Sequence, residues 1–483
     1  MSDDKNDFQY SDQFSPKGFK NIGERTFKLD DQNAFADFSG DCNPIHVDIV
    51  EVRKTQKGEC IVHGINGLLW ALECLLDSCG WTPTKFEIKF QKSININSKV
   101  TCLWNDSKCN VKIVTEENKT LFSLFYENTK DKSDKFTNVP ISLKDKLKFP
   151  FENDLNNLIK DKKVLMKYGG EVSFAESLYP NLSKRIGSNT VYEISLLSNI
   201  VGMQVPGLHS LFISVSIEII TNHKVVSPFF KLDNIDHRFG IINIEYFGNN
   251  ITSKLKALER PHHKTKRCSE IKEKIPKSLV LNGKKILIVG GSRGIGASIA
   301  KVTSIVGAKI TITYNSGIED ARKLCADVEA FTGQKVESVK LDVYDINQIE
   351  TLKFDYDFLF FFASPRIIET QGEFDINLFD NFYQIYCKSF YILAKNFHSG
   401  GGSLIYWPST IFLSEGSTNF EEYTLAKSIG EKICNYLQAE TQMKIVVQRL
   451  DKTETDQTMG LIKEPMKDSV DVAINITKLV CDF

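Results

Sequence analysis

The chain has 483 residues, of which 42% are hydrophobic and 25% are charged, as is usual for globular proteins. The 60 lysines and arginines nearly balance the 61 aspartates and glutamates, so net charge does not support nucleic-acid or membrane binding. No apolar run is long enough to span a bilayer. A chain of this length predicts about three domains.

The N-terminal segment and the cysteines suggest a cellular compartment. Met1–Phe14 is polar and acidic and has no apolar stretch after a basic region, so it predicts no secretory signal. The eleven cysteines are scattered without a Cys-x-x-Cys pair, which predicts neither a disulfide framework nor a zinc cluster. We therefore expect a protein of the reducing cytoplasm, without a metal site.

The first structured region, residues 20–128, combines one buried helix with an antiparallel sheet. The segment 65–79 carries leucines at helical spacing with few polar interruptions, which is typical of a helix buried on all sides. Period-2 alternation of apolar residues then predicts strands at 86–90, 100–104, 111–114 and 121–126. The pattern predicts a sheet that wraps around the helix.

A specific polar string precedes this helix, and a second one begins it. The first is Phe38–His46 (FSGDCNPIH) and the second is Val62–Asn66 (VHGIN). Together they resemble the motif of MaoC-like (R)-specific enoyl-thioester hydratases, which implies a hot-dog fold. Hydration of an enoyl thioester needs a base for water, an acid for Cα and donors for the enolate-like oxygen.

The resemblance implies a role for three residues. Asp41 and His46 would share the attacking water, and the N–H of Gly64 would meet the thioester oxygen. Taken alone, Asp41 would more often be a turn-capping carboxylate, and His46 would more often be a core histidine. The joint spacing of the two strings favours the catalytic interpretation.

The middle region repeats this plan more weakly. It predicts a helix at 194–201 and strands at 209–220, 239–247 and 251–258. We interpret it as a second, degenerate hot-dog-like domain, because no Asp-His pair accompanies His209. By analogy with double hot-dog hydratases, it would shape the acyl pocket. The basic segment that follows predicts a linker.

The last region changes to buried strands that alternate with helices, which predicts a parallel α/β sheet of the Rossmann, doubly wound type. The complete prediction is an α+β double hot-dog region followed by this α/β domain. Its boundaries are 1–140 for the first hot-dog domain, 141–262 for the second, 263–278 for the linker and 279–483 for the Rossmann domain.

A glycine turn begins this last domain. The apolar strand 285–289 runs into Gly290–Gly296 (GGSRGIG) and then into a helix, which is the order that dinucleotide binding requires. Glycines let the backbone approach a pyrophosphate, whose charge is met by N–H groups at the helix N-terminus. A tight turn without a ligand is the alternative interpretation.

The turn resembles the fingerprint of short-chain dehydrogenases, with Val289 in place of the usual threonine. The resemblance implies NADP(H) rather than NAD(H), because Asn315 ends the second strand where NAD-preferring enzymes carry a carboxylate, and Arg293 could meet a 2′-phosphate. Asp342 resembles the adenine-contacting aspartate, although it could also be a solvated cap. The implied cofactor-binding residues are Gly290, Ser292, Arg293, Gly294, Ile295, Gly296, Asn315 and Asp342.

The same resemblance implies a catalytic triad. Tyr423 and Lys427 are four residues apart, which places them on one face of a helix, and Ser409 lies fourteen residues before Tyr423. The phenol would exchange the proton of the substrate oxygen, with its pKa lowered by Lys427. Two departures weaken the match: Phe361–Ser364 replaces Asn-Asn-Ala-Gly, and Tyr386 replaces a relay asparagine.

Reduction of a 3-oxoacyl thioester and dehydration of its product are adjacent reactions, so we predict a bifunctional enzyme acting on acyl-CoA or acyl-ACP. We expect a homo-oligomer, with no nucleic-acid or membrane partner. Two alternatives stay open. One is a hydratase whose Rossmann domain only binds nucleotide or forms dimers, and the other is a non-enzymatic acyl-binding protein.

Overall fold

The computed structural model describes residues 18–55, 57–127, 136, 138–143, 145–220, 227–370, 372–416, 419–460 and 464–481. Met1–Phe14 lies outside the described residues, so the expected absence of a signal sequence stays a prediction. The chain divides into two units. The N-terminal unit comprises the residues up to Arg53 and Glu59–Pro261, and the C-terminal unit comprises Lys54–Gly58 and the residues from His262 onward.

One antiparallel sheet runs through the N-terminal unit. Its described strands are β1 (Lys20–Thr26), β2 (Lys85–Phe90), β3 (Lys99–Asn105), β4 (Asn110–Thr115), β5 (Thr120–Tyr126), β6 (Val164–Leu165), β7 (Ser210–Ile219), β8 (Phe229–Asp236), β9 (Ile241–Phe247) and β10 (Ile251–Glu259). The order across the sheet is β1-β3-β4-β5-β2-β7-β10-β9-β8-β6. The last five strands therefore repeat the order of the first five in mirror sequence, and β2 pairs with β7 at the centre.

We call β1 to β5, with the helices between them, the first repeat and β6 to β10, with theirs, the second repeat. Each repeat contributes one long helix between its first and second strands. The helices of the unit are α1 (Leu29–Ser39), α2 (Pro44–Val47), α3 (Gly64–Cys79), α4 (Ala175–Leu178), α5 (Pro180–Ile186) and α6 (Ser188–Asn199). The helix predicted at 65–79 is confirmed as α3, and its leucines are buried because the sheet covers them. The four predicted strands of the first repeat are also confirmed, within one residue at each end.

The second repeat differs more from the prediction. Helix α6 starts six residues earlier than expected and continues into a π-helical turn at Ile200–Gln204. Strand β8 was missed, because its second half carries exposed polar residues and the apolar alternation stops there. The division of this unit into two hot-dog domains stays a prediction.

A parallel sheet forms the centre of the C-terminal unit. Its described strands are β11 (Lys285–Val289), β12 (Lys309–Tyr314), β13 (Glu337–Lys340), β14 (Phe358–Phe361), β15 (Leu404–Thr410) and β16 (Lys444–Leu450). Numbered within this unit, their order β13-β12-β11-β14-β15-β16 is 3-2-1-4-5-6. That order is the one found in dinucleotide-binding doubly wound folds. The predicted Rossmann-type architecture is confirmed.

Helices connect these strands. They are α7 (Cys268–Lys272), α8 (Gly294–Ile305), α9 (Ile318–Thr332), α10 (Ile346–Thr351), α11 (Ile376–Tyr383), α12 (Phe390–Ser399), α13 (Phe412–Glu415), α14 (Glu421–Thr441) and α15 (Ser469–Cys481). A π-helical turn at Gln384–Ser389 joins α11 to α12. Helix α7 falls inside the predicted linker, because Cys268 and Ile271 are spaced to face the apolar core of this unit and are buried there.

Two further expectations concern the whole chain. All eleven cysteines lie within the described residues and are free thiols, as their scattered spacing predicts. Among the described helices, none combines the length and the apolar composition that a membrane crossing requires.

Candidate active sites

The first site is built around Asp41, in the turn between α1 and α2. Helix α1 ends at Gly40 in the left-handed conformation, which directs the chain back towards the core. Asp41 is buried, and its carboxylate accepts hydrogen bonds from the Ser198 hydroxyl at 2.7 Å and from the Asn43 N–H at 3.2 Å. Asn43 caps α2, which carries His46.

The imidazole of His46 lies next to this carboxylate. Its Nδ1 is 2.8 Å from the carbonyl oxygen of Ile61, and a carbonyl can only accept, so Nδ1 carries the proton. The Nε2 atom of neutral His46 therefore keeps a lone pair. The ring stacks on His63, with 3.8 Å between the ring centroids. A water placed between Asp41 and His46 would meet two proton acceptors.

Burial sets the protonation of these groups. Loss of solvent raises the pKa of Asp41 to about 7, although the hydrogen bonds from Ser198 and Asn43 lower it. Burial lowers the pKa of His46 to about 4, so this ring is neutral near pH 7. Desolvation, and to a lesser extent His46, lowers the pKa of His63. The site thus offers a neutral imidazole beside a carboxyl group that titrates near neutrality.

Gly64 is the first residue of α3, so the structure places it where the prediction requires a backbone donor. Within the described residues, no protein acceptor is bonded to its N–H. Because the partial positive charge of a helix concentrates at its N-terminus, a developing oxyanion would be stabilised there. Asp41 lies in the turn before α2, His46 lies on α2, and Gly64 begins α3. All three are in one region of the N-terminal unit.

The side chains of Asp41, His46 and His63 also place one potential metal-ligating atom each within 4.8 Å of one another. No metal was expected here. Nε2 of His63 donates to the Asp41 carbonyl at 3.0 Å, so Nδ1 of the neutral ring is an acceptor and faces the side-chain amide of Gln32 at 3.0 Å. The His63 ring is therefore committed to hydrogen bonds that position it.

The second site begins at the glycine turn between β11 and α8. Gly290 has a φ of 80°, and a Cβ there would lie 2.6 Å from the backbone nitrogen of Ala363, so only glycine fits. Gly294 has a φ of 55° and begins α8, whose N-terminus has no side-chain cap. Ser292, Ile295 and Gly296 complete the turn. The open N-terminus suits the pyrophosphate of a dinucleotide.

Arg293 is not free to meet a phosphate as predicted. Its Nη1 lies 2.6 Å from Oδ2 of Asp456, and both side chains are largely buried. Sequence reasoning missed this carboxylate, because Asp456 lies 163 residues further along the chain in a segment without a motif. Any 2′-phosphate at Arg293 must compete with Asp456.

Two other predicted cofactor contacts lie at strand ends. Asn315 follows β12 and is exposed, and its contact with an adenosine ribose stays a prediction. Asp342 follows β13, and its carboxylate accepts a hydrogen bond from the Tyr344 N–H at 3.0 Å. Asp342 thus closes a local turn, which was the alternative interpretation of this residue.

Tyr423 and Lys427 lie on one face of α14, as their spacing predicts, and both are buried. Tyr423 shares a hydrogen bond with the hydroxyl of Thr410. Burial nevertheless raises the pKa of Tyr423 to about 12, contrary to the expectation that Lys427 lowers it. Burial also lowers the pKa of Lys427 to about 7, which weakens the positive charge on which that expectation rested.

The structure does not bring Ser409 to Tyr423. Ser409 and Thr410 are neighbours on β15, and their hydroxyls contact different residues of the same helix, α14. The Ser409 hydroxyl donates to Oε1 of Glu431 at 2.6 Å, and Glu431 also pairs with Arg449. The hydroxyl next to the phenol therefore belongs to Thr410, one residue further along the chain.

Tyr386 occupies the side of Lys427 where the family resemblance predicted an asparagine. The Lys427 ammonium lies 3.8 Å from the centroid of the Tyr386 ring and donates to the Pro408 carbonyl at 2.7 Å. The Tyr386 hydroxyl is 2.6 Å from Oγ of Ser364, the last residue of the altered strand end. The two departures from the family pattern thus contact each other and form one local arrangement.

Comparison with known proteins concerns this second unit. Residues 284–355 match the family model described as short chain dehydrogenase. The chain is 26% identical over 186 residues to an NADPH-dependent aldehyde reductase 2 from Arabidopsis thaliana, covering 34% of this chain and 68% of the relative. It is 28% identical over 137 residues to a short chain dehydrogenase/reductase from Cryptosporiopsis sp., covering 26% of this chain and 51% of that relative. The chain thus spans about half the length of this second relative.

Solved structures give similar matches. A short chain dehydrogenase from Burkholderia cenocepacia in complex with NADP is 21% identical, with a TM-score of 0.38, covering 41% of this chain and 91% of the other. L-sorbose reductase from Gluconobacter frateurii, complexed with NADPH and L-sorbose, is 17% identical, with a TM-score of 0.37, covering 42% and 90%. On the family match and the sheet order together, the C-terminal part of this chain carries a short-chain dehydrogenase/reductase domain.

Proposed function

We propose that the chain is a bifunctional acyl-thioester enzyme. Its C-terminal domain would reduce a 3-oxoacyl thioester with NADP(H), and its N-terminal unit, a double hot-dog, would dehydrate the (R)-3-hydroxyacyl product or hydrate the enoyl thioester. The observation that carries the hydratase part is the buried Asp41–His46 pair beside the unbonded N–H of Gly64. The mirrored strand order around two long helices supports the double hot-dog assignment.

In the hydration direction, water loses a proton to one of the two acceptors that face it and adds to Cβ, and the same pair returns that proton to Cα, so no net proton is taken up. Asp41 and His46 supply two proton-exchanging groups, and Asp41 changes charge near neutral pH. The positive end of α3 at Gly64 would stabilise the thioester oxygen while charge develops on it. No metal is needed for any of these steps.

The rate of hydration should depend on the ionisation of Asp41. If the carboxylate accepts a proton from water, kcat/KM rises with pH, with a midpoint at about 7. His46 stays neutral across this range, because burial lowers its pKa to about 4. Initial rates of enoyl-thioester hydration, followed by ultraviolet absorbance across the pH range, test this. A profile that falls only near pH 4 would contradict it.

For reduction, the glycine turn would hold the pyrophosphate at the N-terminus of α8, and the bound cofactor would supply the hydride. Tyr423 would protonate the substrate oxygen, because its raised pKa keeps the phenol protonated. Thr410 would orient this phenol. Ser409, the residue that the sequence favoured, is hydrogen-bonded to Glu431 instead.

We expect tighter binding of NADPH than of NADH, with the difference limited by Asp456. In Asp456→Asn, no carboxylate competes with the 2′-phosphate for Arg293. The Kd for NADPH should therefore fall by about tenfold, which is the effect expected when one competing hydrogen bond between charged groups is removed. Arg293→Ala should raise it. Fluorescence titration of both nicotinamide cofactors measures these constants, and NADH serves as the control. Tighter NADH binding by the unaltered protein would refute the cofactor assignment.

Two assays test the proposal as a whole. The first follows oxidation of NADPH with a short 3-oxoacyl thioester, and the second follows hydration of an enoyl thioester. Activity in both supports a bifunctional enzyme. Activity in neither, with bound acyl thioester, would refute both chemistries.

The arrangement around Lys427 favours one other candidate, a hydratase whose dehydrogenase domain binds nucleotide without turnover. Lys427 contacts the Pro408 carbonyl and the Tyr386 ring. Tyr386 therefore takes the place of the asparagine that the family uses in its proton relay. Binding of NADPH without oxidation by any 3-oxoacyl thioester would support this candidate.

A further inference from the structure

The second repeat of the N-terminal unit contacts the Asp41 carboxylate directly. Ser198, in the last turn of α6, donates its hydroxyl hydrogen to Oδ2 of Asp41 at 2.7 Å. Both residues are about 1% exposed, so bulk water does not compete for this bond. Oδ1 accepts the N–H of Asn43, which comes from the first repeat. Each carboxylate oxygen thus has one donor, and the two donors come from different repeats.

Backbone contacts fix this geometry on both sides. The Asn199 side-chain amide donates to the Gly40 carbonyl at 2.7 Å, and the Asn43 side-chain amide donates to the Gly202 carbonyl at 2.7 Å. The π-helical turn that contains Gly202 packs closely on the carboxylate, because a Cβ at residue 202 would lie 2.4 Å from both of its oxygens. Only glycine leaves room for Asp41 in this place.

The middle of α6 is also held in place. Buried Glu193 accepts hydrogen bonds from the Tyr246 hydroxyl and from the N–H groups of Asn249 and Asn250, each at 2.8 Å. These residues belong to β9 and to the turn before β10. The helix that presents Ser198 is therefore tied to the sheet of its own repeat, and Ser198 has a defined position relative to Asp41.

We infer that Ser198 is a positioning residue for Asp41, through which the second repeat completes the catalytic site of the first. The inference rests on the hydratase function proposed above. Ser198 is an uncharged donor, and a hydrogen bond to the ionised form of a carboxyl group favours ionisation. The titratable groups that face Asp41 are His46 and His63, and Cys42 follows it in the chain. The histidines are kept neutral by burial and supply no opposing positive charge near pH 7.

Removal of this donor should make Asp41 harder to ionise. In Ser198→Ala, the pKa of Asp41 should rise by about one unit or more, as expected when a hydrogen bond to a charged group is lost. The acid limb of kcat/KM for hydration should move upward by the same amount. The pKa can be measured without turnover, from the ¹³C chemical shift of the Asp41 carboxyl carbon in the full-length protein.

Ser195→Ala is the matched control. Ser195 is buried on the same helix, three residues earlier, and donates only to the Tyr192 carbonyl of its own helix. Its removal should leave the Asp41 titration unchanged. Ser198→Cys is a second test that keeps most of the side-chain volume but offers a weak S–H donor, so it should give a smaller shift than alanine. It keeps the inference testable if the alanine variant does not fold.

The outcomes separate this inference from the proposed function. An Asp41 titration that is unchanged in both Ser198 variants would overturn the inference. A shifted titration in a protein that hydrates no enoyl thioester would refute the proposed function, while the contact between Ser198 and Asp41 stands. A similar shift in Ser195→Ala would also overturn the inference, since the effect would then not be specific to Ser198.

Discussion

Asp41→Asn is expected to lower the rate of enoyl-thioester hydration by about 10²–10⁴-fold, the range for loss of a general acid–base group. The amide keeps the shape of the side chain and can still accept from Ser198, but it cannot take a proton from water. His46→Ala should have a comparable effect, because it removes the Nε2 lone pair that faces the same water. Hydration is measured by the loss of enoyl-thioester absorbance.

The control for this result is Asp37→Asn. Asp37 lies on α1, close to Asp41 in sequence, but its side chain is exposed. This variant should hydrate at the rate of the unaltered protein, and all three variants should bind NADPH equally well. Retained hydration in both Asp41→Asn and His46→Ala would show that the motif serves structure rather than chemistry in this chain.

Much of the geometry around Asp41 could be predicted because its parts are close in sequence. Asp41, His46 and Gly64 fall within two short strings, and local rules for turns and helix starts place them correctly. Ser198 could not be found in this way, since it is 157 residues from its partner and no pattern marks it. Its role depends on how α6 packs, which is set by the whole sheet.

The dehydrogenase site shows a different limit. The glycine turn and the Tyr423–Lys427 pair follow from local patterns, and both lie where they were predicted. The choice between Ser409 and Thr410 depends on which residue of α14 each hydroxyl meets, and a shift of one residue along β15 reverses that choice. The pairing of Arg293 with Asp456 depends on the course of a segment that has no regular structure.

This register difference can be tested in the reductase assay. Thr410→Val removes the hydroxyl next to Tyr423 and keeps the branched shape, so it should slow reduction of a 3-oxoacyl thioester. Ser409→Ala removes a hydroxyl that is hydrogen-bonded to Glu431, eight residues beyond Tyr423 on α14, and it should leave the rate nearly unchanged. The reverse result would return the catalytic role to Ser409.

Tyr423→Phe is expected to lower reduction of the same substrate by about 10²–10⁴-fold while NADPH binding is unchanged. The phenolic hydroxyl is the only part of the side chain that is lost. Burial raises its pKa to about 12, so it stays protonated and can donate to the substrate oxygen across the neutral range. The pyrophosphate would be held by the separate glycine turn. Oxidation of NADPH, followed by its absorbance, measures the rate.

Tyr436→Phe is the matched control for this variant. Tyr436 lies on the same helix, α14, but its side chain is 59% exposed, so loss of its hydroxyl should affect neither rate nor binding. If the unaltered protein turns over and Tyr423→Phe matches it, the proton donor lies elsewhere, and Tyr386, hydrogen-bonded to Ser364, is next to be tested. If the unaltered protein binds NADPH but never oxidises it, the Tyr386–Ser364 arrangement has replaced the relay that turnover requires, and the nucleotide-binding hydratase becomes the better description of the chain.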